Sequence, residues 1–129
     1  MSDFHEKKHV CIVGIGSNID PEANVSRALA ILRRETEVIN ESQFIRTTPF
    51  GIENQPDFLN GAVKVLTEEG KNVFNFYLKS VEDRLKRDRT APKYGPRVID
   101  LDIIAWDGEI IDPDYYKRDY LRKVVDEIK

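Results

Sequence analysis

The order of the hydrophobic patterns along the chain restricts the fold more than any other feature. Side chains alternate between two faces along a strand and recur every three or four residues along one side of a helix. Helical patterns predict one helix at about 21–34, after the Asp20-Pro21 pair, and a second at about 72–86. Strand patterns occur in HVCIVGIGSN, EVINESQFIRTT, DFLNGAVKVLTEE and YGPRVIDLDIIAW. The predicted order of elements is therefore βαββαβ.

This order and the composition predict one α+β domain. Hydrophobic residues make up 40% and charged residues 33% of the chain, which is the balance of a folded globular protein. The βαββαβ order is the ferredoxin-like pattern, in which an antiparallel sheet carries two helices packed on one face. We expect a single domain over 1–129, with 1–9 as a flexible N-terminal segment. A last amphipathic segment predicts a closing helix with the apolar residues Tyr116, Tyr120, Leu121, Val124, Val125 and Ile128.

The single cysteine, the N-terminal residues and the net charge predict the cellular setting. Cys11 lies in the apolar run VCIVGI and has no second cysteine to pair with, so we expect a small buried hydrophobe. The charged start MSDFHEKKH is not followed by a long apolar segment, which predicts a cytoplasmic protein without membrane contact. The net charge of −3 argues against a surface that binds nucleic acid throughout.

A local excess of positive charge precedes the last predicted strand. This run contains a single acidic residue, Asp88, and its cations form a candidate anion site. The alternative is a solvated helix end that interacts favourably with the helix dipole. The basic residues of the run are Arg84, Lys86, Arg87, Arg89, Lys93 and Arg97.

Two aspartates lie on one face of the strand that follows. Because faces alternate, Asp100 and Asp102 point the same way. Such a pair can hold one or two hard cations such as magnesium beneath a polyphosphate, and nearby arginines would complete a phosphoryl-transfer site. The alternative is a structural role, as caps or in salt bridges. The predicted partition places Ile99, Leu101, Ile103 and Ala105 on one face, and Val98, Asp100, Asp102, Ile104 and Trp106 on the other.

Two further stretches have both a functional and a structural interpretation. The glycines of GIGSN could cradle a phosphate, but turn glycines between the first strand and helix are favoured, since neither dinucleotide nor P-loop motifs are matched. In QPDFLN, Phe58 and Asn60 share a strand face, which suits a flat heterocycle that stacks and hydrogen-bonds. The alternative places Phe58 in the core and Asn60 in a turn.

Taken together, the motifs GIGSN, TTPFG, QPDFLN, RDR and YGPRVIDLDI resemble those of the 6-hydroxymethyl-7,8-dihydropterin pyrophosphokinase family, in order and spacing. The resemblance covers the chain from Val10 to about Ile128. It implies a ferredoxin-like α+β fold and transfer of pyrophosphate from ATP to the hydroxymethyl group of 6-hydroxymethyl-7,8-dihydropterin. AMP is the other product, and two magnesium ions are implied with ATP.

The resemblance also implies a role for individual residues. Asp100 and Asp102 match the magnesium ligands. Arg87, Arg89 and Arg97 match catalytic arginines that act on the triphosphate. The residues implied for the pterin pocket are Thr47, Phe50, Phe58, Asn60 and Tyr120. Those implied for ATP are Glu82, Arg87, Tyr94, Arg97, Ile103 and Arg118, with Tyr94 standing where the family usually has tryptophan.

The chain departs from the family pattern after DGEIIDPD. Members normally continue through a longer segment with a His-Pro pair before the arginine matched by Arg118, and they extend beyond the position of Lys129. We therefore expect an intact pterin pocket and roughly five- to thirtyfold weaker ATP binding, from one or two lost hydrogen bonds. Two alternatives stay open: a non-catalytic pterin-binding paralogue, and a ferredoxin-like nucleic-acid-binding module that uses the basic run.

Overall fold

The structure is a computed structural model that describes residues 8–49, 54–85 and 98–129. Six strands and four helices lie in these ranges. The strands are β1 (His9–Ser17), β2 (Glu37–Glu41), β3 (Ile45–Thr47), β4 (Phe58–Thr67), β5 (Asp100–Trp106) and β6 (Glu109–Ile110). The helices are α1 (Pro21–Glu35), α2 (Lys71–Arg84), α3 (Asp114–Lys117) and α4 (Asp119–Ile128).

The strands form one antiparallel sheet in the order β2-β4-β1-β5-β6, and the short β3 also pairs with β4. The first strand of the chain therefore lies at the centre of the sheet, between β4 and β5. The predicted βαββαβ order corresponds to β1, α1, β2, β4, α2 and β5, so the α+β ferredoxin-like prediction is confirmed. None of the helices in the described ranges has the length and hydropathy of a membrane span.

Helices cover both faces of the sheet. The face under α1 and α2 holds the larger core, in which Leu32, Phe74 and Leu78 pack against side chains of β1, β4 and β5. Helix α4 packs on the opposite face, where Val125 and Ile128 meet Ala62 of β4. The closing helix was predicted from its apolar spacing, and its place on the second face follows from a sheet that is apolar on both sides.

The second predicted strand is divided in two. β2 ends at Glu41 and β3 begins at Ile45. Between them, the Ser42 hydroxyl accepts a hydrogen bond from the Ala62 N–H, and the Ser42 N–H donates to the Ala62 carbonyl. A side chain thus takes the place of one backbone acceptor of the ladder, and regular pairing ends there.

The predicted partition of side chains on β5 is wrong at its C-terminal end. Ile12 pairs with Ala105 and Val13 pairs with Ile103, so Ile104 is the extra residue of a β-bulge. Beyond the bulge the faces exchange. Ala105 therefore packs with Ile104 under α4, and Trp106 packs against the core under α1 and α2.

The ends of the chain segments also differ in detail from the predictions. β1 already includes His9, whose ring nitrogen lies 2.7 Å from an Asp107 carboxylate oxygen, so the segment before the sheet is shorter than the predicted 1–9.

Cys11 is fully buried in the core, as predicted. Burial, with a contribution from the charge of Asp107, raises the pKa of its thiol to about 12.

A network on the surface ties α1 to α2. Glu35 accepts hydrogen bonds from the Tyr77 hydroxyl at 2.8 Å and from two nitrogens of Arg84, each at 2.8 Å. The Arg84 and Tyr77 hydrogen bonds lower the pKa of Glu35 from 4.5 to about 2. Arg84, the first residue of the predicted basic run, is therefore engaged with Glu35.

This network predicts a pH-dependent effect of Glu35→Gln. A carboxyl with a lowered folded-state pKa stabilises the fold above its unfolded pKa, and this contribution is lost as the pH falls through the folded pKa. The variant should have a lower urea midpoint than the parent at pH 7. The difference should shrink as the pH falls from about 4.5 towards 2. A difference that stays constant over this range would contradict the assignment.

Candidate active site

A cleft of about 310 Å³ opens on the α4 face, where β1, β4 and β5 lie side by side. The strands supply its floor, and the segment after β6 supplies one wall. Seven of the residues proposed from the sequence line this one cleft, although they come from four separate parts of the chain: Thr47, Phe58, Asn60, Asp100, Asp102, Arg118 and Tyr120. Residues far apart in the sequence therefore form a single site.

The two strand aspartates point into the cleft from β5, as the alternation predicts. Asp100 lies opposite Gly16 and Asp102 opposite Gly14 on β1, so small residues flank both carboxylates. The Asp102 side chain is 53% exposed. No group of three or more His, Cys, Asp or Glu side chains in the described ranges could hold a metal ion. Two carboxylates alone do not complete the oxygen coordination of a hard cation, and substrate or water oxygens are common further ligands.

Lys79 of α2 contacts this carboxylate pair. Its ammonium lies 3.0 Å from Asp102 Oδ1 and 3.1 Å from Glu82 Oε2, and it donates to the Leu101 carbonyl at 2.8 Å. Burial by itself would lower the pKa of Lys79, but the charges of Asp102 and Glu82 and their hydrogen bonds outweigh it and raise that pKa. Lys79 therefore carries its charge at neutral pH.

Glu82 has a structural role in this arrangement. Its side chain is fully buried, and Oε2 accepts a hydrogen bond from the Leu101 N–H at 2.6 Å. In the described part of the chain, β6 pairs with β5 only at Ala105 and Trp106. Glu82 and Lys79 thus satisfy the N–H and C=O of Leu101 where no neighbouring strand does so. This position keeps the Glu82 side chain out of the cleft.

A second part of the cleft combines an aromatic ring with an amide. Phe58 and Asn60 both line the cleft from the start of β4, as the strand alternation predicts. The Asn60 Nδ2 donates to the Thr47 Oγ1 at 2.6 Å, which fixes the orientation of the amide. The alternatives, Phe58 in the core and Asn60 in a turn, are both wrong: Phe58 is half-buried in the cleft and Asn60 lies within β4.

The glycines of GIGSN have a different role from the predicted one. Gly14 and Gly16 lie inside β1, and in the described residues only Gly108 among the glycines has a positive φ, of 85°. The turn into α1 is made instead by Asp20, with a φ of 42°. A Cβ on Gly16 would lie 2.6 Å from the Asn60 Oδ1. Gly16 is therefore required for the close approach of the Asn60 amide, and the turn interpretation is wrong.

The wall after β6 brings further charge to the cleft. Asp112 and Asp114 line it, and burial raises the pKa of Asp112, with the Asp114 N–H hydrogen bond opposing this shift. Burial also raises the pKa of the Tyr120 hydroxyl, while the charge and a hydrogen bond of Arg118 oppose the shift. With Asp100 and Asp102, four aspartates line the cleft together with Arg118 and Tyr120. This acidic cleft suits a ligand that arrives with cations.

Some of the residues proposed from the sequence do not line the cleft or lie outside the described residues. Ile103 is 8% exposed and packs in the core under α1 and α2, so its side chain does not line the cleft. Phe50 falls in the range 50–53, outside the described residues. The range 86–97 also lies outside them and contains Arg87, Arg89, Tyr94 and Arg97.

Lys79, Asp112 and Asp114 are not among the residues proposed from the sequence. Lys79 stands three residues before Glu82 on a helix, a spacing at which opposite charges are neighbours, and this signal could have indicated the pair. Asp112 and Asp114 lie in a segment without a helical or strand pattern. Their place in the cleft follows from the course of the chain after β6, which no local pattern predicts.

The fold and the cleft together define an α+β protein of ferredoxin-like topology with an acidic site that has separate aromatic and carboxylate parts. A family model described as 7,8-dihydro-6-hydroxymethylpterin-pyrophosphokinase matches residues 12–129. The match covers far more than half of the chain, so this protein belongs to that family.

Individual relatives agree with the family model. A 2-amino-4-hydroxy-6-hydroxymethyldihydropteridine pyrophosphokinase of Bacillus subtilis is 33% identical over 107 residues, covering 81% of this chain and 64% of the relative. A protein of the same name from Synechocystis is 35% identical, covering 81% of this chain and 54% of the relative. The mitochondrial folate synthesis bifunctional protein of Arabidopsis thaliana is 34% identical, covering 81% of this chain and 19% of the relative. The chain thus spans less than two thirds of the length of these relatives.

Proposed function

We propose that this protein transfers a pyrophosphoryl group from ATP to the hydroxymethyl group of 6-hydroxymethyl-7,8-dihydropterin and releases AMP, as a step of folate biosynthesis. The observation that carries the proposal is the cleft itself. Four residues that match the pterin pocket (Thr47, Phe58, Asn60 and Tyr120) and three that match the phosphate and metal site (Asp100, Asp102 and Arg118) line one cavity, although they come from separate parts of the chain. The proposal includes a cytoplasmic location and no nucleic acid or membrane partner.

The aromatic part of the cleft fits the pterin. Phe58 and Tyr120 offer ring faces for stacking, and the Asn60 amide, held by Thr47, offers a donor and an acceptor to the edge of a heterocycle. Burial raises the pKa of the Tyr120 hydroxyl further above neutral pH, so this group is uncharged. We propose that these residues, with Phe50, bind the pterin and orient its hydroxymethyl oxygen towards the carboxylate part of the cleft.

The carboxylate part fits a cation-bound polyphosphate. Asp100 and Asp102 line the cleft and supply the hard oxygen ligands that magnesium prefers, and magnesium also binds substrate phosphates. We propose that two magnesium ions accompany ATP at this pair. When bound, magnesium offsets the negative charge that the phosphates carry and develop during transfer. We propose that Arg118, which lines the same cleft, contacts the phosphates.

The transfer itself requires positioning more than covalent chemistry. The pterin hydroxyl oxygen attacks the β-phosphorus, the bond from that phosphorus to the α,β-bridging oxygen breaks, and AMP leaves with the electron pair. The attacking hydroxyl loses its proton to solvent or to a phosphate oxygen. We propose that Arg87, Arg89 and Arg97 offset the charge of the transition state. ATP binding is proposed to involve Tyr94 and the backbone near Ile103, whereas Glu82 acts through the fold.

The experiment that tests the function is an assay with ATP, Mg²⁺ and 6-hydroxymethyl-7,8-dihydropterin, in which AMP is measured by chromatography. We expect AMP formation that requires all three components. Pterin binding without AMP formation would favour the non-catalytic paralogue instead. A titration with α,β-methylene ATP in the presence of Mg²⁺ measures the nucleotide affinity of the same preparation. We expect this affinity to be weaker than that of family members with the longer segment before the matched arginine.

The geometry predicts a specific effect of Gly16→Ala on pterin binding. The new Cβ would displace the Asn60 amide, which then loses its place beside Thr47. Losing one or two hydrogen bonds should weaken pterin affinity about five- to thirtyfold, measured by calorimetric titration. Gly70→Ala is the matched control, because nothing lies within 4 Å of its added methyl group. Equal affinities for the two variants would contradict the assignment of Asn60.

A further inference from the structure

Lys79 connects the buried edge of β5 to the cleft. Its ammonium donates to Glu82 Oε2, to the Leu101 carbonyl and to Asp102 Oδ1, all of them in the described part of the chain. Glu82 and the Leu101 carbonyl hold Lys79 against the edge of β5, whereas Asp102 is a carboxylate that lines the cleft. The Lys79 side chain is 32% exposed, so its charge is partly shielded from water.

The position of Lys79 affects what Asp102 can bind. Oδ1 of Asp102 already interacts with one positive charge at 3.0 Å, so a free divalent cation must displace the ammonium or bind beside it. Displacement breaks the ion pair between Lys79 and Asp102, and binding beside the ammonium brings like charges within a few ångströms of each other in a partly shielded site. Asp100, Asp112 and Asp114 attract cations to the cleft, but they do not remove this local competition at Asp102.

A polyphosphate changes this balance. When a cation arrives bound to phosphate oxygens, the displaced ammonium has a new anion beside it, and the repulsion is offset by attraction. We propose that Lys79 is a positioning residue that makes the carboxylate pair selective for a divalent cation bound to a polyphosphate over the free cation. This inference rests on the proposed function only in that it takes Asp100 and Asp102 as the cation ligands.

The proposal is tested with Mn²⁺ as the probe. The electron paramagnetic resonance signal of free Mn²⁺ reports how much of the ion is bound, without any need for catalysis. Lys79→Gln removes the charge and keeps a hydrogen-bond donor. It should bind Mn²⁺ alone about tenfold more tightly than the parent protein. With α,β-methylene ATP present, the variant should bind Mn²⁺ no more tightly than the parent. Lys79 thus accounts for part of the coupling between cation and nucleotide.

Three further variants serve as controls. Lys79→Arg keeps the charge and should retain the weak binding of free Mn²⁺. Lys71→Gln changes the net charge equally on the same helix, at an exposed position, and should also match the parent. Loss of Lys79 leaves Glu82 buried without its cation, so the double variant Lys79→Gln/Glu82→Gln provides a neutral pair if the single variant unfolds.

The outcomes separate this inference from the proposed function. Unchanged binding of free Mn²⁺ in Lys79→Gln and in the double variant would overturn the inference. If Lys79→Gln gained the same Mn²⁺ affinity with and without α,β-methylene ATP, the inference would also be overturned, because Lys79 would then only repel cations. If Asp102→Asn binds Mn²⁺ with α,β-methylene ATP as tightly as the parent does, the metal assignment within the proposed function fails. Loss of Mn²⁺ binding in Asp102→Asn supports that assignment whatever Lys79 does.

Discussion

Replacing Asp102 by asparagine should lower turnover at saturating Mg²⁺ at least about a hundredfold. The neutral amide retains the shape of the side chain but loses the charge that holds a hard cation, and such a cation contributes several kcal/mol of transition-state stabilisation. Asp100→Asn should have a similar effect, because both carboxylates line the cleft from β5. The rate of AMP release measures the loss.

Folding should change little in the same variants. Asp102 is 53% exposed, and its ion pair with Lys79 is worth less than about 1 kcal/mol at such a site. Relief of repulsion between neighbouring carboxylates offsets part of that loss. Glu109→Gln, an exposed substitution on β6, is the control for the change in net charge. Near-parental turnover of either aspartate variant would contradict the metal assignment.

Glu82→Ala should lower the free energy of unfolding by about 2–4 kcal/mol. The substitution removes the acceptor of the Leu101 N–H and leaves a cavity beside Lys79. Removing one partner of a fully buried pair destabilises by 3–5 kcal/mol in general, and the value is reduced here because the Lys79 side chain is about one-third exposed. Urea unfolding at neutral pH measures the change.

Glu82→Gln is the matched control for this prediction. It keeps an oxygen that can accept the Leu101 hydrogen bond, so its stability should lie much closer to that of the parent protein. The comparison decides between the ATP-binding role implied by family resemblance and the structural role seen in the fold. If Glu82→Ala kept the parental stability and lost nucleotide affinity, the structural role would be wrong.

The sequence predicted those features that depend on local periodicity. The face shared by Asp100 and Asp102, and that shared by Phe58 and Asn60, follow from strand alternation, and the cleft contains all four residues. The same rule was wrong at Trp106, because one extra residue in β5 exchanges the faces. Periodicity cannot locate a bulge, since a bulge is set by pairing with β1 and leaves no mark in the apolar pattern.

The features that the sequence did not predict depend on contacts between distant segments. Glycines in GIGSN were interpreted as turn residues, but Gly16 provides room for Asn60, which is 44 positions further along the chain. Lys79 and Glu82 were separated from Asp102 in the sequence, and α2 brings them to the edge of β5. Such roles arise from the packing of a helix on a sheet, so no local pattern contains them.

The transfer step is tested most directly with ATP that carries an isotopic label in its β-phosphoryl group, incubated with Mg²⁺ and 6-hydroxymethyl-7,8-dihydropterin. We expect the label to move to the pterin product while the nucleotide product is unlabelled AMP, because the bond from the β-phosphorus to the α,β-bridging oxygen breaks. Label recovered in ADP, or ATP that remains unchanged in the presence of bound pterin, would contradict the proposed pyrophosphoryl transfer.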